Sequence, residues 1–176
     1  MDNPIIIALI GPAGVGKTTV GKALAQNMAY RFMDLDRAIE AKLGIEIDWI
    51  FQLEGEAGFR KYETAVLKDI LHQAQDHTVL STGGGAIVTE ENRTLLAKYT
   101  RVVYLSATLD TLMMRTNYTK GRPLLAGNPV IRQKKLATLC KQRKHWYAST
   151  ADFQLPVDHL KIHQAIEAIK TYIGNG

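Results

Sequence analysis

The chain has 176 residues, 46% of them hydrophobic and 22% charged, the ordinary composition of one globular domain with a sizeable core, residues 1–176. No apolar run approaches the roughly eighteen residues that span a bilayer, and residues 5–10 are too short and wrongly flanked for a signal peptide, so the expectation is a cytoplasmic protein with no membrane partner. The formal net charge of +5 admits nucleic acid, acidic surfaces and small polyanions alike, while the single cysteine, Cys140, excludes an internal disulfide and reads as a thiol buried in a helix.

In chain order, Ile5, Ile6, Ile7, Ala8, Leu9 and Ile10 form an unbroken apolar, β-branched run, as a strand buried on both faces of a parallel sheet requires. The run ends at Gly11, and Gly11-Pro12-Ala13-Gly14-Val15-Gly16-Lys17-Thr18 fits the phosphate-loop pattern. Val20, Ala23, Leu24 and Met28 then recur at helical spacing and predict a helix over residues 16–28. Strand, glycine loop and helix are the context the motif needs. Its glycines let consecutive backbone N–H groups curl around a phosphate, and the helix N-terminus adds positive potential. Lys17 reaches the β and γ oxygens, and the Thr18 hydroxyl suits Mg²⁺. The expected ATP-binding set is Gly11, Ala13, Gly14, Val15, Gly16, Lys17, Thr18 and Thr19.

A short strand over residues 31–33 leads into Asp34-Leu35-Asp36. Residues two apart on a strand share a side, so both carboxylates are expected to face the cleft, one for metal and one for substrate. The plainer alternative is a helix-capping Asp with a surface neighbour. Helices are predicted over residues 36–43, 47–53 and 56–73, the last with Val66, Leu67, Ile70 and Leu71 as its apolar stripe. Arg60, near the start of that helix, suits bidentate capture of a carboxylate. An ion pair with Glu56 or Glu63 at the surface is equally open.

Residues 78–81 predict a third strand that runs into Gly83, Gly84 and Gly85, where backbone can approach a ligand or merely turn. A helix over 90–98, a strand over 101–105 and a helix over 108–115 follow. Residues 117–127 are aperiodic and rich in Gly, Pro, Asn, Lys and Arg, so they are expected to form an exposed, mobile lid carrying Arg122 toward a transferring phosphate. Asn128 caps and Pro129 opens a helix to about residue 147, whose basic stretch, 132–145, reads as a solvated face. Residues 153–157 give a fifth strand that Pro156 confines to an edge or a strand end, and Ile162, Ile166, Ile169 and Ile173 mark one face of a last helix. Strands alternating with helices predict a three-layer α/β/α fold around a five-stranded parallel sheet.

No strand ends in an apolar run followed by Asp-Glu, and no Asn-Lys-x-Asp tetrad is present, which argues against ATPase machines and guanine-nucleotide switches. What remains resembles the shikimate kinase family of the nucleoside monophosphate kinase-like P-loop group, over nearly the whole chain. The residues that carry the resemblance are the phosphate loop, Phe32-Met33-Asp34-Leu35-Asp36 with Ile39-Glu40, Ile50-Phe51 with Glu54-Gly55-Glu56 and Phe59-Arg60, the three glycines at 83–85, Arg122-Pro123-Leu124-Leu125, and Arg143 with Tyr147.

The resemblance implies phosphorylation of shikimate by ATP to shikimate 3-phosphate, in aromatic amino acid biosynthesis, with Mg²⁺ as cofactor. It implies that Asp34 helps Thr18 hold Mg²⁺, and that Asp36, Arg60, Gly83, Gly84, Gly85 and Arg143 bind shikimate within a helical region at about 36–63 and its surroundings. Arg115 and Arg122 would face ATP, and Lys17, Asp36 and Arg122 would be catalytic. A monomer without nucleic-acid partners is expected. Thr18 stands where Ser is more familiar, and Lys61-Tyr62 where a further arginine often follows Arg60; neither removes a required group.

A gluconate or nucleotide kinase of the same architecture is the nearest rival, but a gluconate kinase would show His-Pro soon after its acidic pair, and Asp36 is followed by Arg37-Ala38-Ile39-Glu40. A nucleic-acid-binding P-loop ATPase would suit the basic charge, yet aromatic residues total only 7%, with no stacking cluster apparent in the sequence. A degenerate kinase fold acting only as a binding partner sits badly with the intact motifs.

Overall fold

The computed structural model describes residues 4–116 and 128–174. Its five strands are β1 (Ile6–Ile10), β2 (Arg31–Asp34), β3 (Thr78–Ser81), β4 (Arg101–Ser106) and β5 (Phe153–Pro156). All four pairings are parallel, in the order β2-β3-β1-β4-β5. The chain passes from β1 to the edge strand β2, returns to β3 beside β1, and then crosses to β4 and β5 on the other side, and the reversal leaves a crevice at the carboxyl edge beside β1, where open α/β sheets bind ligands.

Alternation along the strands divides the core in two. Ile6, Ala8 and Ile10 of β1, Leu80 of β3 and Val102 and Tyr104 of β4 face one way. Ile7, Leu9, Val79, Val103 and Leu105 face the other. Over the first face pack α2 (Leu35–Leu43), α3 (Ile47–Gln73) and α4 (Glu90–Tyr99). Over the second pack α1 (Lys17–Met28), α5 (Leu109–Thr116) and α7 (Ile162–Gly174). The helix α6 (Pro129–Thr150) serves both, sending Tyr147 into the first core and Leu136 into the second. Every residue of β1 is buried, as its unbroken apolar run requires.

The elements follow the sequence closely, with instructive differences. The break expected between 53 and 56 is a kink inside α3 at Gly55, whose φ of 68° lies in the left-handed region that favours glycine. Asn128 caps α6 by accepting from the Ile131 N–H at 2.9 Å, and Pro129 opens it. That helix runs three residues past the expected end, to Thr150. β5 pairs only with β4, so Pro156 occupies an edge. Cys140 is only half-buried on α6, less enclosed than expected, and burial pushes its thiol pKa up. Among the described residues no helix is long and apolar enough to cross a membrane.

Candidate active site

One cavity of about 540 Å³ opens at the carboxyl edge of the sheet, a volume suited to small-molecule ligands. Lys17, Thr18, Thr19, Asp34, Asp36, Arg60, the three glycines at 83–85, Arg115 and Arg143 all line it, so residues scattered over more than a hundred positions converge on one place. Ala13, Gly14 and Gly16 join them there, while Gly11 and Val15 stand behind the loop. Val15 is fully buried in the second core. Arg122 and the expected lid, 117–127, lie outside the described residues.

The phosphate loop connects β1 to α1, and Gly16 is the helix N-cap with φ 105°, so the loop turns sharply into the first helical N–H groups. Lys17 is buried, and its ammonium group donates to the Gly11 carbonyl at 2.7 Å and the Pro12 carbonyl at 3.0 Å. The cation is thus held over the loop by the loop's own backbone. From the far side Arg115 of α5 donates to the Val15 carbonyl at 2.9 Å, tying α5 to the loop. The start of α5 is fixed by Asp158, whose carboxylate accepts from the Thr108 N–H and from the Thr108 and Thr111 hydroxyls, each at 2.8 Å. The Thr108 backbone N–H, with these hydroxyls, lowers the Asp158 pKa to about 2.

The carboxylate pair departs from the expected geometry. Asp34 is the last residue of β2 and the N-cap of α2, accepting from the Asp36 and Arg37 N–H groups, so Asp36 stands on the first helical turn rather than on the strand. The strand argument for a shared side therefore fails, because the backbone changes period between the two residues. Both still reach the cavity. The capping and functional alternatives also prove compatible: Asp34 caps with Oδ1 while Oδ2 accepts from the Thr18 hydroxyl at 2.9 Å. The Ser81 hydroxyl at the end of β3, which the sequence reading does not single out, lies 3.3 Å from Thr18 Oγ1 and joins Thr18 and Asp34 in a group of hard oxygen donors.

Arg60 makes the ion pairs of its plainer alternative without leaving the cavity. It donates through Nη2 to Glu56 and through Nη1 to Glu63, each at 2.8 Å, yet it is only 12% exposed and faces the cavity. Burial pulls the Arg60 guanidinium down, but Glu63 and Glu56 more than offset this and hold its pKa above the ordinary value. The glycines at 83–85 leave room for these side chains and for the phosphate loop: a Cβ on Gly85 would lie 2.1 Å from Arg60 Nη2, one on Gly83 2.7 Å from Asp36 Oδ1 and one on Gly84 3.1 Å from the Ala13 nitrogen. Asp36 itself is raised, first by burial and then by Asp34, against the pull of Lys17 and Arg60.

Arg143 departs from the solvated face expected of its helix; it is buried and donates to the Gly84 carbonyl at 3.2 Å. Around it Lys141, Lys144 and His145 are exposed, so only this arginine turns inward. The apolar walls are Ile47, Phe51 and Phe59 on α3 and Leu139 on α6.

Glu63 is the main member that sequence reasoning missed as a site residue. It is fully buried, and its Oε1 has no hydrogen-bond partner among the described residues. A signal existed: Phe59, Glu63, Val66 and Ile70 recur at helical spacing, which places Glu63 on the buried stripe. Burial raises its pKa from 4.5 to about 7, despite Arg60. A folded-state value above the unfolded one means that the contribution is fully present below the lower value and lost as pH rises through the higher. Glu63→Gln should therefore flatten the pH dependence of Tm between about pH 5 and pH 8, with wild type falling relative to the variant. Thermal melts that stay parallel across that window would contradict this.

A phosphate loop at the switch point of a parallel sheet, sharing one cavity with the buried Arg143 and the largely enclosed Arg60, defines a P-loop small-molecule kinase. The family model for shikimate kinase matches residues 13–173. A shikimate kinase of Francisella tularensis subsp. holarctica is 42% identical over 170 residues, 95% of this chain and 93% of the relative. A solved shikimate kinase from Acinetobacter baumannii in complex with shikimate has a TM-score of 0.90 and 39% identity, covering 98% of this chain and 94% of that one. The shikimate kinase from Bacteroides thetaiotaomicron has a TM-score of 0.88 at 28% identity, covering 97% and 98%. The chain belongs to the shikimate kinase family.

Proposed function

We propose that this protein phosphorylates the 3-hydroxyl of shikimate with ATP, releasing ADP and shikimate 3-phosphate. The observation that carries the reading is the cavity's mixed lining: Lys17 and the phosphate loop share it with Arg60, Arg143 and the three glycines, of which Gly84 packs against the loop. An acid with several hydroxyls needs guanidinium groups for its carboxylate and carboxylate or backbone partners for its hydroxyls. In the reaction the acceptor oxygen bonds to the γ-phosphorus as the bond to the β–γ bridging oxygen breaks, and the acceptor proton passes to Asp36. Lys17 and Arg115 accompany the nucleotide phosphates. Arg122 is assigned to the transferring group from its sequence motif.

The Thr18, Asp34 and Ser81 oxygens are the hard donors that Mg²⁺ prefers, and a phosphate-bound Mg²⁺ needs only one or two protein ligands. Thr18 and Asp34 are proposed to hold it, and when bound it supplies positive charge to the β and γ oxygens. The residues then divide the work. Asp34 fixes α2, and with it Asp36; Glu63 and Glu56 brace Arg60 against the glycines.

The test is calorimetric. Arg143→Ala should weaken shikimate binding by about 2 to 5 kcal/mol and leave ATP affinity nearly unchanged, because a charge in a dry pocket loses its partner. Equal loss for both ligands, or none for shikimate, would contradict the assignment of Arg143 to the acid.

A further inference from the structure

Tyr147 touches the glycine turn, and the activity leaves it without a role. It is 2% exposed, stacked on Tyr104 of β4 with ring centroids 5.0 Å apart, and its hydroxyl donates to the Gly84 carbonyl. That carbonyl also accepts from Arg143. A carbonyl oxygen has two lone pairs, so the pair of donors saturates it and fixes its direction.

The peptide is planar and trans, so the Gly84 carbonyl and the Gly85 N–H lie in one plane and point in opposite directions. With the carbonyl drawn toward α6, the Gly85 N–H is turned away from it, and no acceptor for it appears among the described residues. Three consecutive glycines offer no side chains to hold that orientation, and their backbones are the least restrained of any residue. Arg143 must share its N–H donors between that carbonyl and a ligand carboxylate, and at 3.2 Å its hold on the carbonyl is the looser of the two. The tyrosine can hold that orientation: its ring is clamped by Tyr104, and Arg143 sits one turn before it on α6.

We infer that Tyr147 is a positioning residue for acid binding, pinning the Gly84 carbonyl so that the Gly85 N–H faces the acid and Arg143 is released to its carboxylate. The inference rests on the proposed function. It assigns the hydroxyl, rather than the ring, to substrate recognition.

Tyr147→Phe keeps the stacked ring and leaves Arg143 on the Gly84 carbonyl, so the fold is retained. The expected result is a KM for shikimate raised about tenfold, the scale of one lost hydrogen bond, with kcat and the KM for ATP within about twofold of wild type. Tyr147→Leu, which also removes the stack, should show the same selective rise together with a lower Tm. A purely structural tyrosine would instead leave Tyr147→Phe unchanged in KM for shikimate, or raise both KM values alike in the variants, and either result overturns the inference. Wild-type protein assayed alongside separates the two claims: failure to turn over shikimate at all would count against the function, whereas normal wild-type turnover with an indistinguishable Phe variant would count against Tyr147 only.

Discussion

Asp36→Asn should lower kcat by roughly a hundred- to ten-thousandfold with little change in the KM for shikimate, the range for loss of a general base. Asn keeps the shape and one acceptor oxygen while removing the charge and the base. Two features favour the basic role. Burial and the neighbouring Asp34 raise the Asp36 carboxyl, which makes it a stronger base than an exposed aspartate. Its contact with Gly83 and its place on the first turn of α2 also hold it in the cavity. Phosphoryl transfer through a loose transition state keeps the acceptor proton attached until late, so positioning alone would give a different signature: a smaller loss, shared between kcat and KM. Full activity with unchanged KM would show that the carboxylate does neither.

Lys17→Met should reduce kcat by at least about a hundredfold, the scale of one lost transition-state charge contact in a water-poor site. Methionine replaces the buried stem with similar volume, so the variant should fold and melt near wild type. The ammonium group is already over the loop, held by the Gly11 and Pro12 carbonyls, and needs only to exchange those acceptors for phosphate oxygens. Near-normal turnover in a folded Lys17→Met protein would remove the phosphate loop from the chemistry.

The parts of the fold that were legible are those with local causes. An unbroken apolar run becomes β1, buried on both faces, and a glycine loop feeding a helical period becomes the phosphate loop. Asn128 and Pro129 begin α6 where their chemistry says a helix should begin. What was missed has causes distant in sequence. Ser81 gains its part because Thr18, 63 positions away, is brought to the end of β3. The periodicity of the basic helix puts Arg143 on a solvated face and only the family resemblance marks it as a substrate ligand, since nothing in its own neighbourhood records that α6 turns that position toward Gly84. Glu63 was read as a possible surface partner because a carboxylate on a buried stripe is rare without a guanidinium beside it, and Arg60 is what permits it. Alternation puts Asp36 in the cavity for the wrong reason, since the strand ends at Asp34, two residues short of the position that argument requires.

The central claim is that one cavity joins ATP to shikimate. The direct measurement is phosphorus NMR of the products formed by wild-type protein from ATP and Mg²⁺ with shikimate, gluconate or a nucleoside monophosphate as acceptor. The account predicts shikimate 3-phosphate accumulating in step with ADP, and no phosphorylation of the other two. Phosphoryl transfer to gluconate or to the nucleotide, with shikimate left untouched, would contradict it.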